Sequence, residues 1–128
     1  MKVYLGGAVH DSSQEEIHSW REFLKEQLRA IEIEWFDPTM ELIRYPVERD
    51  LQELQGCDVM IANLWKHSPG TYMEMFYMYR ILGRPVVIYL MALVDYAPSP
   101  WVTENSTYIV YSPKEVVWAL QQLWRKID

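Results

Sequence analysis

CDVMIANLWKHSPGTYMEMFYMYRILGRPVVIYL, Cys57 to Leu90, decides the fold. It reads as strand, loop, helix, strand. Val59-Met60-Ile61-Ala62 is an apolar run between Cys57-Asp58 and a polar turn. Pro85-Val86-Val87-Ile88-Tyr89-Leu90 is a second run, rich in β-branched residues. Neither alternates apolar with polar, so both are expected to be covered on two faces, as strands of a parallel sheet are. The helical stretch between them is roughly 13 residues long, enough for a crossover. Ser68-Pro69-Gly70-Thr71 opens it and Gly83 closes it. Its one carboxylate, Glu74, is expected in the first turn beside a strand's carboxyl end, the edge where open parallel sheets bind ligands.

Outward from this unit, Lys2 to Leu5 reads as the first strand, ending at Gly6-Gly7. A loop over Ala8 to Ser13 follows. Ser13 and Glu16 form a capping pattern, and Ile17, Trp20, Phe23, Leu24 and Leu28 make one helical stripe. Ile31 to Phe36 reads as a second strand ending in Asp37-Pro38, and residues 39 to 46 as a loop. Pro46 to Gln55 reads as a helix with Val47, Leu51 and Leu54 inward, stopped by Gly56. Met91 to Thr107 reads as a loop with an apolar start, Asp95 and the turn Pro98-Ser99-Pro100. Tyr108 to Tyr111 is a fifth strand. Ser112, Pro113 and Glu115 open a last helix with Val116, Leu120, Leu123 and Trp124 inward. Right-handed crossovers then predict an α/β fold: a single three-layer flavodoxin-like domain over residues 1–128, with five mainly parallel strands in the order 2-1-3-4-5. The switch point falls between strands one and three, so the expected pocket lies between the loops Gly6–Ser13 and Asn63–Gly70.

With 128 residues, half of them hydrophobic and 14% aromatic, the chain can bury a core of its own. A net charge of −6 speaks against a nucleic-acid polymer as partner. It leaves room for a small anion, which can bind at a helix N-terminus. The single cysteine, Cys57, fits a reducing, cytoplasmic setting. No stretch reaches the ~20 apolar residues of a membrane span, and MKVYLGGAV reads as a strand, not a signal peptide. No membrane partner is expected.

The turn at Ser68, Gly70 and Thr71 has two readings: an anion site built from free N–H groups and hydroxyls, or an ordinary helix start. Glu74 also has two. Thr71-Tyr72-Met73-Glu74 has capping-box spacing, which would spend the carboxylate on a backbone N–H. Yet Met73, Met75, Phe76, Tyr77, Met78 and Tyr79 around it would desolvate a lone carboxylate and raise its pKa, as suits a nucleophile or an acid/base. Asp50 and Asp58 flank the third strand's approach, as solvated charges or functional ones. Asn63 and Trp65 stand at that strand's end, Trp65 as a stacking surface for a base or a rim aromatic. Gly6-Gly7 lacks the full dinucleotide motif. His10, His18 and His67 show no metal spacing, so no metal is expected.

Taken together these residues resemble the nucleoside 2-deoxyribosyltransferase family over most of the chain. The resemblance rests on KVYLGGA at the start, Phe36-Asp37-Pro38, Asp50-Leu51, Cys57-Asp58-Val59, Ala62-Asn63-Leu64, and above all Ser68-Pro69-Gly70-Thr71-Tyr72-Met73-Glu74, with Pro85-Val86-Val87 behind it. It implies that Glu74 is the nucleophile attacking the sugar's anomeric carbon, with a second base or water resolving the glycosyl ester. It implies that Asp50 positions the nucleophile or sugar and that Gly6, Gly7 and Ala8 line the floor. Asp37, Asn63, Trp65, Ser68, Gly70 and Thr71 join the substrate-binding set. It also implies no cofactor, a nucleoside or nucleotide substrate with a purine or pyrimidine base, and a homo-oligomer. In that oligomer a neighbour's segment Trp101 to Ser106, Asn105 foremost, completes each pocket. Where classical transferases carry an aspartate, this chain has Ser68. That brings it nearer the relatives that hydrolyse nucleoside 5′-monophosphates, in which a serine near this place contacts the phosphate. A nucleotide-binding module without catalysis is the alternative on the same fold.

Overall fold

Strand β1 (Lys2–Gly7) takes an interior place in the sheet because both of its faces are apolar: Val3 and Leu5 point one way, Tyr4 the other, and all three are fully buried. In this computed structural model, which describes residues 1–91 and 96–127, β2 (Glu34–Phe36), β3 (Val59–Asn63), β4 (Val86–Tyr89) and β5 (Tyr108–Val110) complete the sheet. The order is β2-β1-β3-β4-β5 and every pairing is parallel, as expected of a flavodoxin-like sheet. Asp95 lies outside the described residues. Helices α1 (Gln14–Ala30) and α5 (Pro113–Ile127) cover one face, packing Leu24, Leu28, Leu120 and Leu123 on Val3, Leu5, Val59, Ile61 and Val87. On the other face α2 (Val47–Gln55) and α3 (Pro69–Phe76) bring Leu54 and Met75 against Tyr4, Met60, Ala62, Val86 and Ile88. Two buried faces explain why the strands do not alternate.

Several boundaries depart from expectation for local reasons. β2 starts at Glu34 instead of Ile31, because α1 runs on to Ala30, Ile31 caps it, and Glu32 turns the chain at φ 59°. β1 and β3 are longer: Gly6 pairs with Ala62 and Gly7 with Asn63. The stretch expected as loop after Met91 contains a short helix, α4 (Pro100–Thr103), with Ser99 before it and Pro100 at its first position. Phe23 and Val47, expected inward, are 50% and 68% exposed. α3 starts earlier than a Thr71 cap would have it. Ser68 is the N-cap and Pro69 the first helical residue. Past Phe76 the helix widens into a π-helical turn, Tyr77–Ile81, and the chain leaves through Gly83 at φ 65°.

The α1 stripe also carries two cations. Arg21 is fully buried and donates to the carbonyls of Leu5 (3.2 Å), Gly7 (3.2 Å) and Ile17 (2.6 Å). It lies 3.6 Å from Asp37, which Lys25 contacts at 2.7 Å. Burial lowers the Arg21 pKa to about 10. Burial also works against the Asp37 charge, but Lys25, Thr39 and Arg21 outweigh it and hold its pKa below the usual range. All three groups are therefore ionised at neutral pH, a cluster in which removing one partner strands the others.

Trp20 and Arg21 press on Gly7 from this side. A Cβ at Gly7 would sit 2.8 Å from Trp20 Cζ2 and 3.3 Å from Arg21 Nη2, whereas one at Gly6 would meet the movable Cε of Met60 at 2.5 Å. Gly7→Ala is therefore expected to cost about 1–3 kcal/mol, and Gly6→Ala less, in urea unfolding. Equal losses, or a larger loss at Gly6, would contradict this packing.

Candidate active site

Tyr4 sits in the middle of β1 with its ring stacked on Phe36 of β2 at 5.7 Å between centroids. Strand alternation aims it at the α2–α3 face, and its length carries the hydroxyl to Glu74 Oε2, to which it donates a hydrogen bond. Glu74 lies in the second turn of α3, because the first turn starts at Pro69. The capping-box reading is thereby corrected. Thr71 N–H and Thr71 Oγ1 both donate to Ser68 Oγ, at 3.4 and 2.9 Å, and the Glu74 carboxylate goes to a side chain.

Burial pushes the Glu74 pKa up from its ordinary 4.5 to about 7. The Tyr4 hydrogen bond pulls it down, the charge of Asp50 raises it, and Arg21 lowers it. Tyr4 is itself raised well above the usual phenol range, first by burial and then by Glu74, so it remains a donor. Asp50 on α2 accepts from Arg49 Nε at 2.9 Å, and burial raises its pKa against that pairing. Arg49 also donates to the carbonyls of Pro38 (3.0 Å) and Glu41 and lies 6.0 Å over the Phe36 ring. Arg49 thus fixes the chain after β2 and the orientation of Asp50 together. Glu74 and Asp50 interact through their charges, with no hydrogen bond between them among the described residues.

The loops at the switch point are tied to each other. Lys66 Nζ donates to the Asp11 carbonyl at 2.7 Å and lies 4.9 Å from the Trp65 ring, whose buried Nε1 has no partner among the described residues. Ser68 Oγ accepts twice from Thr71 and keeps its own proton to donate. Thr71 is buried and serves Ser68, while Gly70 is exposed with open space where a Cβ would be. Gly6, Gly7 and Ala8 are buried at the end of β1. Two expected residues stand apart from Glu74, and a third, Asn105, is expected to act from a neighbouring subunit. Asp37 is spent on Lys25, Arg21 and Thr39. Asn63, one step past Ala62, points to the α1–α5 face, where its Nδ2 touches Met91 Sδ at 3.6 Å. Asn105 is 8% exposed and held by Arg80 Nε and the Trp101 carbonyl, each at 2.7 Å. Tyr4 and Arg49, which hold Glu74 and Asp50, are absent from the set read from the sequence. Among the described residues, no cluster of three His, Cys, Asp or Glu side chains could hold a metal, and no helix is long and apolar enough to cross a membrane.

No protein-family model matches the chain, and no curated protein does. Solved structures share its fold. A conserved protein from Enterococcus faecalis V583 superposes with a TM-score of 0.78 at 16% identity, over 94% of this chain and 97% of that one. A CMP N-glycosidase from Clostridium botulinum gives 0.64 at 23% identity, over 96% and 99%. A 2-desoxiribosyltransferase from Leishmania mexicana gives 0.58 at 17% identity, over 70% and 63%.

Because the Tyr4 hydroxyl favours the ionised form of Glu74, Tyr4→Phe is expected to raise the Glu74 pKa above its native value of about 7. Carbon-13 NMR of the Glu74 carboxyl through a pH titration measures this. A midpoint that stays put or falls would break the assigned coupling.

Proposed function

We propose that the protein cleaves the N-glycosidic bond of a nucleoside 5′-monophosphate, with Glu74 as nucleophile and water as acceptor. The observation that carries this is the half-buried Glu74 carboxylate bonded to Tyr4 at the carboxyl edge of a parallel sheet. One Glu74 oxygen attacks C1′, the bond from C1′ to the base nitrogen breaks, and the electron pair leaves with the base, which takes a proton from solvent water; the water that later attacks C1′ returns a proton to solvent. Water then attacks C1′ of the ester, returning Glu74 and releasing the sugar phosphate with retained configuration. Tyr4 orients the carboxylate for the first step, and Asp50, held by Arg49, keeps the charge around it poised. Ser68 and the N-terminus of α3, whose first turn carries no acidic residue, suit the 5′-phosphate. The C. botulinum fold neighbour bears the name of such an activity, and the L. mexicana one the name of the related sugar transfer, in which a base replaces the water.

Only ionised Glu74 attacks, so base release should rise with pH through about 7 and then level. The experiment supplies a deoxynucleoside or its monophosphate, with and without a second base, and follows free base by chromatography. Release from the monophosphate alone supports the hydrolase. Exchange without net hydrolysis shifts the assignment to a transferase. Glu74→Gln should lose at least ~10³-fold of either activity; full activity in that variant removes Glu74 from the mechanism. The same variant reports on stability. Folding raises the Glu74 pKa, so the native state resists its ionisation, and stability is lost as pH rises from about 4.5 to about 7. Relative to the native chain, Glu74→Gln should therefore gain about 1–3 kcal/mol across that window, as read by chemical unfolding at pH 4 and pH 8.

The reading includes a homo-oligomer. Met73, Phe76 and Ile81 along α3 and its continuation are 73%, 47% and 63% exposed, beside Arg80, which reaches α4 through Asn105. Sedimentation velocity should show an assembly larger than 15.3 kDa that Phe76→Lys dissociates. A native chain that sediments as a monomer would exclude it.

A further inference from the structure

The turn from β3 into α3 belongs to neither element, and among the described residues no main-chain hydrogen bond runs to or from residues 65–67. A site on such a turn is only as precise as the side chains that hold it. Tyr96, which comes from the chain beyond β4, holds this one at three places. Its hydroxyl donates to the carbonyl of Leu64, the residue that follows β3, at 2.5 Å. Its ring lies against the His67 imidazole, 4.3 Å between centroids. Its third neighbour is Tyr72, in the first turn of α3. Burial first, and the Tyr72 hydroxyl second, raise the Tyr96 phenol above its usual range, so it stays a proton donor. Tyr72 closes the circle. Its hydroxyl is 2.6 Å from His67 Nδ1, and its N–H donates to the Ser68 carbonyl at 3.0 Å. His67 is exposed by area, yet its ring is fixed on one face by Tyr96 and at one edge by Tyr72. Fixing a surface side chain costs rotamer entropy. Here that cost falls on the residue directly before Ser68, and Tyr96 grips the chain before the turn, within it and after it.

We propose that Tyr96 is a positioning residue for the 5′-phosphate subsite, locking residues 64–72 into one piece so that the Ser68 hydroxyl and the start of α3 are aimed before substrate arrives. This rests on the reaction proposed above and adds to it a residue that makes the chain prefer a phosphorylated donor. Tyr96 acts through His67 and Tyr72 and makes no contact with substrate itself. Glu74 is held separately, by Tyr4 of β1. Loosening the turn therefore weakens the hold on the phosphate and leaves the attack on C1′ intact. A subsite ordered in advance loses less entropy on binding, and a contact equally strong in ground and transition states appears in KM and not in kcat.

Tyr96→Phe keeps the ring on His67 and removes the hydroxyl. With a nucleoside 5′-monophosphate its KM should rise roughly tenfold while kcat stays within about twofold, and kcat/KM for the unphosphorylated nucleoside should not move. A merely structural loss would lower the folded fraction, cutting kcat for both substrates and leaving KM in place. Tyr72→Phe should act in the same direction, and the double variant should lose less than the two losses combined, because both work on one turn. Binding is read apart from chemistry by titrating ribose 5-phosphate into Glu74→Gln, with and without Tyr96→Phe, and following the amide signals of residues 68–72 by proton–nitrogen NMR. Tyr96→Phe should weaken that binding roughly tenfold. If it fails to fold, Tyr72→Phe takes its place in each measurement. Equal binding of ribose 5-phosphate with and without the hydroxyl overturns the role of Tyr96 and leaves the reaction standing. Equal loss of kcat on both substrates, or independent effects of the two tyrosines, overturns it as well. Ribose 5-phosphate that moves no signal in either protein removes the phosphate subsite, and this proposal with it, whatever Glu74 does to an unphosphorylated nucleoside.

Discussion

The phenol of Tyr4 reaches from β1 across to the Glu74 carboxylate on α3, and this hydrogen bond makes a desolvated carboxylate tolerable on a helix with almost no polar side chain. Without it, burial would hold Glu74 protonated at neutral pH, the form that could not act as the proposed nucleophile. With it, the pKa settles at about 7, where both forms coexist. The bond requires Tyr4 on the α3 face of the sheet, Phe36 beneath its ring, and α3 started early enough to put Glu74 level with β1. Each requirement belongs to a different element, so the site depends on the sheet order itself and on no single loop.

Much of that order was legible, because two unalternating apolar runs separated by a capped helix admit few arrangements. The Ser13–Glu16 capping box is present as the spacing predicted. The box at Thr71–Glu74 had equally good spacing and is not formed. Ser68, with Pro69 behind it, offered an earlier cap, and a helix has one N-terminus. That choice moved Glu74 a turn inward and made it a core-facing group. Asn63 shows another limit. Reading β3 as ending at Ala62 left its direction open; once the strand continues one residue, alternation sends Asn63 to the face away from Glu74. Tyr4 was hidden differently. In a strand buried on both faces a tyrosine reads as packing, and only the depth of the opposite helix shows that its hydroxyl meets an acid.

Arg21 lies buried on the inward side of α1, four residues after Ile17, and nothing local in the sequence says what it does there. The fold answers through β1. The guanidinium holds the carbonyls of Leu5 and Gly7 and stacks at 4.5 Å on the Trp20 ring that occupies the space beside Gly7. Gly7 is therefore glycine because a ring and a guanidinium fill the room a side chain would need. Arg21 also lowers the Glu74 pKa from across the strand. The charge that organises one layer thus acts on the chemistry of the other, and Asp37, which balances it, serves the site without facing it.

Position 68 carries the final distinction. From the N-cap to Glu74 the helix rises about 9 Å, a span that a sugar and its 5′-phosphate can bridge. A phosphate seated at the N-terminus would then present C1′ toward the second turn. An acidic residue at the N-cap would repel that phosphate and add a second negative charge near Glu74, raising its pKa further. With serine there, Asp50 is the carboxylate among the described residues whose charge raises the Glu74 pKa, and Arg49 already partners it. Under the proposed reaction, serine at this place would give up a proton acceptor for the leaving base and leave Glu74 ionised beside an anionic substrate. In the proposed reaction a phosphorylated donor and an aspartate at the N-cap would work against each other, and Ser68 suits the first.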